Sequence, residues 1–222
     1  MAAKKFQPPK ASVGDVAHAS TKAILSALPY IGGPAAELFQ LVLQPPLEKR
    51  RAEWMERIAE GLETLEKDGL KVQDLKDNPQ FISAVMQAYQ IALHTHQEDK
   101  LRALRNAVLN VASGNAPEDA LQGLFLSYVD FFTAWHIRIL KVFQAPPGPA
   151  GMSLGGLSNV LESAIPEMRG QRDLYDSLWR DLNIRGLTNT ENLHVTMSGS
   201  GLVEKRTTGL GDKFLAFISE PK

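Results

Sequence analysis

From Leu47 to Val111 the apolar side chains return at steps of three and four residues, a period that belongs to helices. Leu47, Trp54, Ile58, Leu62 and Leu65 form the first series. They predict a helix from Pro46 or Leu47 to about Lys67 with one buried stripe. The charges between them, from Glu48 to Glu66, are mixed in sign and read as a solvated face laced with local ion pairs. Asn78-Pro79 opens the second series, with Asn as cap and Pro at the first helical position. Phe81, Ile82, Val85, Tyr89, Leu93, Leu101, Leu104, Val108 and Val111 then predict one long helix or two near-collinear ones, ending before Gly114.

Proline and glycine divide the remainder. Val13–Leu28 reads as an alanine-rich helix ended by Pro29 and the turn Gly32-Gly33, after a loose arm at residues 1–12. Pro34 suits the first turn of a second helix, Ala35–Leu43, which Pro45-Pro46 is expected to close. Pro117–Val129 is a further helix, and a break is expected near Asp130–Phe132. Thr133 then caps a helix carrying Trp135, Ile139, Leu140 and Phe143. Helices at Leu154–Ile165 and Gln171–Ile184 follow the Pro/Gly-rich stretch Gln144–Ser153. "LHVTM" and "LVEKRTT" read as short strands separated by "SGSG", and Gly209–Ile218 closes the chain as a helix. The order helix, helix, helix, hairpin, helix resembles a winged helix. The expected fold is mainly α: a helical domain over 13–129, then a small winged-helix-like α+β domain over 130–220 with one short β-hairpin.

Composition narrows the chemistry. With 24 Lys+Arg against 25 Asp+Glu, the net charge of -1 gives no global attraction to nucleic acid or anionic lipid. Cysteine is absent, which removes disulfides, thiol nucleophiles and cysteine-ligated zinc. The first residues lack the apolar run of a signal peptide, so a cytoplasmic location is expected. Ile24–Leu43 is long enough to span a bilayer, but it contains Glu37, Gln40, Pro29, Pro34 and Gly32-Gly33. A carboxylate in lipid is costly, so no constitutive span is expected, and conditional membrane contact stands as a minor alternative.

Individual motifs give bland readings. "HTHQEDK" puts His94 and Glu98 four residues apart, where they would share a helix face, but the two-His, one-Glu zinc spacing is missing. An exposed polar turn of a long helix accounts for it. His136 falls in the first turn of the helix capped by Thr133, and no serine-nucleophile turn or phosphate loop is present. No catalytic residue, cofactor or metal is therefore expected. In a winged helix, Gln171–Ile184 would be the recognition element, with Arg172 and Arg180 outward and Leu174, Leu178 and Leu182 inward. Lys205 and Arg206 would lie on the wing. Between Ser153 and Lys222, however, eight basic side chains face nine acidic ones, a poor balance for phosphate contacts.

Three stretches, "GGPAAELF…PPLEKRRAEW", "THQEDKLRALRNAVLN" and "RTTGLGDKFLAFI", resemble the Abi-alpha family of bacterial abortive-infection proteins. The resemblance implies a helical front, a small helix-and-hairpin C-terminal part and a role in phage defence without catalytic residues. It highlights Gly32, Gly33, Glu37, Lys49, Arg50 and Trp54 as a conformational or partner-binding surface. Lys100, Leu104 and Asn106 are also highlighted. Thr208 (a cap), Gly211 (a close approach) and Phe214 (core) are implied to be structural. The expected function is that of a non-enzymatic sensor, scaffold or effector working through a protein partner or homo-oligomer. Glu37, Lys49, Arg50, Arg102 and Arg105 are its candidate interaction surface. The alternatives are a DNA-binding regulator using Arg172, Arg180, Lys205 and Arg206, or a conditionally membrane-active effector.

Overall fold

The computed structural model describes residues 34–148 and 153–221, with side chains from residue 49 onward. The chain divides into two compact units, Met1–Glu48 and Lys49–Lys222. Of the first, the described part is helical backbone at 34–48. The expected N-terminal arm, the helix Val13–Leu28 and the turn Gly32-Gly33 lie outside the described residues.

Helix α1 covers Pro34–Lys67, beginning in the first unit and ending in the second. Pro34 starts it, as expected, but Pro45-Pro46 does not end it. A proline ring fixes φ near the helical value, so within a helix it removes a hydrogen bond and crowds the preceding turn without forcing the chain out. The predicted stripe is tightest at Trp54 and Ile58 and only half-buried at Leu62 and Leu65. Gly61 lies on the same face, where an added Cβ would collide with the side chain of Leu109.

After a 3₁₀ turn at Val72–Asp77, α2 (Pro79–His94) starts at Asn78, whose side chain accepts the Phe81 N–H at 3.1 Å. Helix α3 follows at Glu98–Ala112. The two are not collinear. Thr95 and Gln97 are extended, the Thr95 hydroxyl accepts the Gln97 N–H at 3.2 Å, and α3 folds back along α2. Helix α4 (Asp119–Phe131) packs on both, and the chain breaks at Phe132-Thr133 as expected.

The C-terminal part runs α5 (Ala134–Gln144), β1 (Leu154–Gly155), α6 (Leu157–Ala164), a 3₁₀ turn at Pro166–Met168, and α7 (Arg172–Ile184). Strand β2 (Met197–Ser198), the short helix α8 (Gly199–Leu202) and α9 (Gly209–Phe217) complete it. The architecture is mainly α, with a winged-helix-like C-terminal part holding one two-stranded antiparallel pairing. The strands differ from those expected. β2 pairs with β1, Leu154 opposite Ser198 and Gly155 opposite Met197. Leu154-Gly155 is thus a strand and not the start of a helix. "SGSG" is the start of α8 because the Ser198 hydroxyl caps it, accepting the Gly201 N–H. The base of the wing is a bridge between Thr188 and Thr207, flanked by Thr208 N–H donating to the Leu187 carbonyl at 3.0 Å.

Both parts of the second unit share one apolar core that runs from Trp54 to Ile218. Phe214 of α9 is fully buried, and its ring lies 5.5 Å from Phe125, 5.9 Å from Tyr128 and 5.8 Å from Phe132. Thr208 caps α9 by accepting the Gly211 N–H at 3.0 Å. Gly211 sits against the Leu187 carbonyl so closely that a Cβ would overlap it. The far end of α9 is satisfied by α3. The Asn110 amide donates to the carbonyls of Phe217 (2.9 Å) and Ser219 (2.8 Å), and the Asn106 amide to that of Ile218 (3.1 Å).

An unsatisfied buried carbonyl costs about 1–3 kcal/mol. Asn110→Ala is therefore expected to lower the urea unfolding free energy by about 1–3 kcal/mol, with the m-value unchanged. A loss below about 0.5 kcal/mol, the level of an ordinary surface change, would refute that role.

Candidate functional site

Helix α7 is the element on which the DNA and protein-contact readings meet. Its buried face is Tyr175, Leu178, Trp179 and Leu182, with the Trp179 ring 4.8 Å from Phe143 and its indole N–H donating to the Thr190 carbonyl at 2.8 Å. Leu174, expected inward, is 43% exposed. Tyr175, one position on and better centred on the apolar face, takes the inward place. Burial and a 3.1 Å bond from its hydroxyl to Glu162 push the Tyr175 phenol up to about 12.

The opposite face presents Asp173, Ser177, Arg180 and Ile184, all exposed, the last at 72%. Arg172 lies at its edge, 3.5 Å from Asp176, whose carboxylate also holds His194 Nε2 at 2.8 Å. Arg180 has no ion-pair partner among the described residues. Both wing cations are paired within the domain, Lys205 from an exposed position and Arg206 from a largely buried one. Lys205 Nζ bonds Asp212 at 2.6 Å, and with Thr207 it holds that carboxyl below its ordinary range. The Arg206 side chain is 11% exposed, lies 3.3 Å from Glu204 and donates to the Gly201 carbonyl. The four expected DNA contacts thus do not converge on one surface charge.

The candidate interaction residues also scatter. Glu37 falls in the part of α1 whose side chains lie outside the described residues. Lys49 is exposed beside Glu53 at 3.7 Å, and Arg50 donates to the Leu93 carbonyl at 3.2 Å. Arg105 is half-buried and donates to the Arg57 carbonyl (3.2 Å) and to Asn106 Oδ1 (3.3 Å). Arg102 is exposed, 3.9 Å from Asp99. Trp54, implied to shape a partner surface, is 2% exposed and belongs to the core. Lys100, Leu104 and Asn106 are buried as well.

His94 and Glu98 do not share a helix face, because the turn at Thr95–Gln97 puts them on different helices. Glu98 instead takes two bonds from Arg57, at 2.7 and 3.0 Å, which hold its carboxyl below the usual range. Among the described residues no group of three metal-ligating side chains is present, and no helix is long and apolar enough to cross a membrane.

One polar cluster escaped the sequence reading. His136 Nδ1 accepts the Thr133 N–H at 3.0 Å, closing the first turn of α5. In the neutral ring, Nε2 then carries the proton and faces Asp181 at 3.4 Å. The ring stacks on Phe132 at 4.8 Å, and Arg185 lies 3.8 Å over Phe131 and 3.5 Å from Asp181. Lys100 Nζ donates to the Asp130 carbonyl at 2.7 Å, at the end of α4. Asp181 and Arg185 are four apart, a helix ion pair visible in the sequence; their meeting with His136 depends on tertiary packing. His136 and Lys100 are buried while Asp181, Arg185 and Phe131 are partly open to solvent, and the cluster joins α4, α5 and the end of α7.

Comparison with protein-family models, with curated proteins and with solved structures found no match for this chain.

Burial, helped by Arg185 and Lys100 and opposed by Asp181, holds the His136 imidazole below its ordinary range. Below about pH 6.5 the unfolded chain therefore binds more protons than the folded one, and stability falls as pH drops through that value. His136→Gln keeps an acceptor for the Thr133 N–H without the titration. Its unfolding free energy is expected to fall less than the wild type's between pH 7 and pH 5. Parallel urea-derived profiles would contradict this assignment.

Proposed function

We propose that this chain is a protein-contact module without chemistry of its own, and that its winged-helix-like part presents the outer face of α7 to a protein partner or a second copy. That face carries the reading. Asp173 and Arg180 balance each other in charge, and Ile184 stands 72% exposed one turn from Arg180. An exposed aliphatic side chain on a neutral face gains by burial against another protein and does little for a phosphate backbone. The resemblance to abortive-infection proteins supplies the setting: a sensor, scaffold or effector in bacterial phage defence.

DNA binding is the second reading. It is favoured by the order of elements around α7 and by exposed Arg180, but opposed by the internal pairing of Lys205 and Arg206.

Phage challenge of cells with and without the gene, and with Ile184→Asp, tests the first reading. Ile184→Asp is expected to leave the unfolding free energy within about 0.5 kcal/mol of wild type, because the side chain is exposed, yet to remove protection. Full protection by that variant would refute a role for the face. A salt-sensitive gel shift with duplex DNA, lost in Arg172→Glu and Arg180→Glu, would replace the protein reading with the DNA one. Absence of a shift at low salt would end the DNA reading.

A further inference from the structure

A cleft of about 480 Å³ opens between α3 and α5, with Ile218, Ser219 and Glu220, which follow α9, completing its lining. Helix α3 contributes Asp99, Arg102, Ala103 and Asn106, and α5 contributes Ala134, Ile137, Arg138 and Lys141. Each set follows the spacing i, i+3, i+4, i+7, so one stripe of each helix faces the cleft. Its volume falls in the range of small-ligand and side-chain pockets.

The lining combines apolar surface with directed charge. Ala103, Ala134 and Ile137 supply the apolar part. Arg102 is tied only to exposed Asp99 at 3.9 Å, too long for a strong pair. Lys141 is exposed and has no ion-pair partner among the described residues. The Arg138 guanidinium is held 4.5 Å over the Trp135 ring, with one nitrogen 3.4 Å from Glu167, outside the cleft. A guanidinium oriented by an aromatic face loses little freedom when it takes a carboxylate.

Two features reduce the negative potential of the walls. Asp99 lies in the first turn of α3, where the helix N-terminus draws on its charge. The carbonyls at the end of α9 are covered by the amides of Asn106 and Asn110. Glu220 remains as the other anion of the lining. The lining itself carries three cations and two carboxylates. The pairs of Arg102 to Asp99 and of Arg138 to Glu167 are exposed and weak, so spaced single carboxylates of a ligand can take their place. A phosphodiester chain, denser in charge, would meet Asp99 and Glu220.

We propose that this cleft binds an acidic peptide segment of a protein partner, with its carboxylates on Arg102, Arg138 and Lys141 and an aliphatic side chain against Ala103, Ala134 and Ile137. The proposal rests on the protein-contact reading and names a second surface, separate from α7, with the chemistry of its partner.

The test is fluorescence anisotropy on the full chain with a short labelled peptide alternating Glu and Leu. A Lys–Leu peptide, inorganic phosphate and a single-stranded oligonucleotide serve as comparison probes. The Glu–Leu peptide is expected to bind with an affinity that falls with salt, and the Lys–Leu peptide not to bind. Arg102→Glu and Lys141→Glu, both at exposed positions, are each expected to weaken binding about tenfold or more, and Lys141→Gln by less. Circular dichroism confirms that the variants remain folded. No binding at low salt, or binding indifferent to both reversals, would overturn the proposal. Equal competition by phosphate or the oligonucleotide would make the cleft a general anion site and overturn it too. Loss of peptide binding in Ile184→Asp with both reversals silent would place the peptide on α7, removing the cleft proposal and sparing the protein-contact reading.

Discussion

Two asparagines one turn apart on α3 hold the end of the chain. The final turn of α9 leaves carbonyls that its own backbone cannot satisfy, and those of Phe217 and Ile218 are bonded in buried surroundings. The Ser219 hydroxyl takes the Leu215 carbonyl at 2.6 Å, the Ser219 N–H takes that of Ala216, and Asn110 and Asn106 take the next three. Neither amide has slack: Asn110 spends both N–H groups on carbonyls, and Asn106 accepts from Arg105 while it donates to Ile218. Because α9 is seated this way, Phe214 reaches the Phe125–Tyr128–Phe132 group, and the winged-helix-like part shares a core with the helices before it.

The same logic governs the joint at residues 130–136. Here one helix ends and another begins, so orphan carbonyls and N–H groups crowd one place. Lys100 serves the carbonyl end of α4, a favourable position for a cation at a helix C-terminus. His136 serves the N–H at the start of α5. Arg185 lies over Phe131 and Phe132, so a cation from α7 closes the outside of the joint. Burial lowers the pKa of Lys100 and of His136, which is what placing basic groups in a helix junction costs.

The sequence was most informative where a local rule carries the whole structural meaning. Asn78 and Thr208 each cap the helix they announce, because capping involves only neighbours within a turn, while at Thr133 the His136 ring takes the Thr133 N–H. Gly211 is a glycine for a tertiary reason, contact with the Leu187 carbonyl, and only the family resemblance pointed to it. Thr95–Gln97 carries neither Gly nor Pro, so the reversal between α2 and α3 left no local mark. Pro45-Pro46 is marked as strongly as any stop, yet α1 continues through it. β1 pairs with a strand more than forty residues away, a register that no local pattern encodes. Of the cleft, Arg102 and Asn106 on one wall were singled out in the sequence, and the other wall belongs to a helix distant in sequence.

The distribution of cations then bears on what the winged-helix-like part does. A DNA reader needs its basic side chains free and aimed at one strip of phosphates. Here the wing's Lys205 and Arg206 hold the wing itself in shape, through Asp212 at the start of α9 and through the Gly201 carbonyl at the end of α8. Withdrawing Arg206 to reach a phosphate would leave the Gly201 carbonyl without that donor, whereas Asp212 would keep its bonds from Thr207 and Gln144 if exposed Lys205 turned away. Arg102 and Arg138 face exposed carboxylates, Asp99 at 3.9 Å and Glu167 at 3.4 Å, and Lys141 has no ion-pair partner among the described residues. Cations that are weakly paired or unpaired among the described residues thus line α3 and α5, while α7 presents Arg180 together with exposed Ile184. That separation fits a protein held by contacts on two faces better than one laid along a nucleic-acid groove.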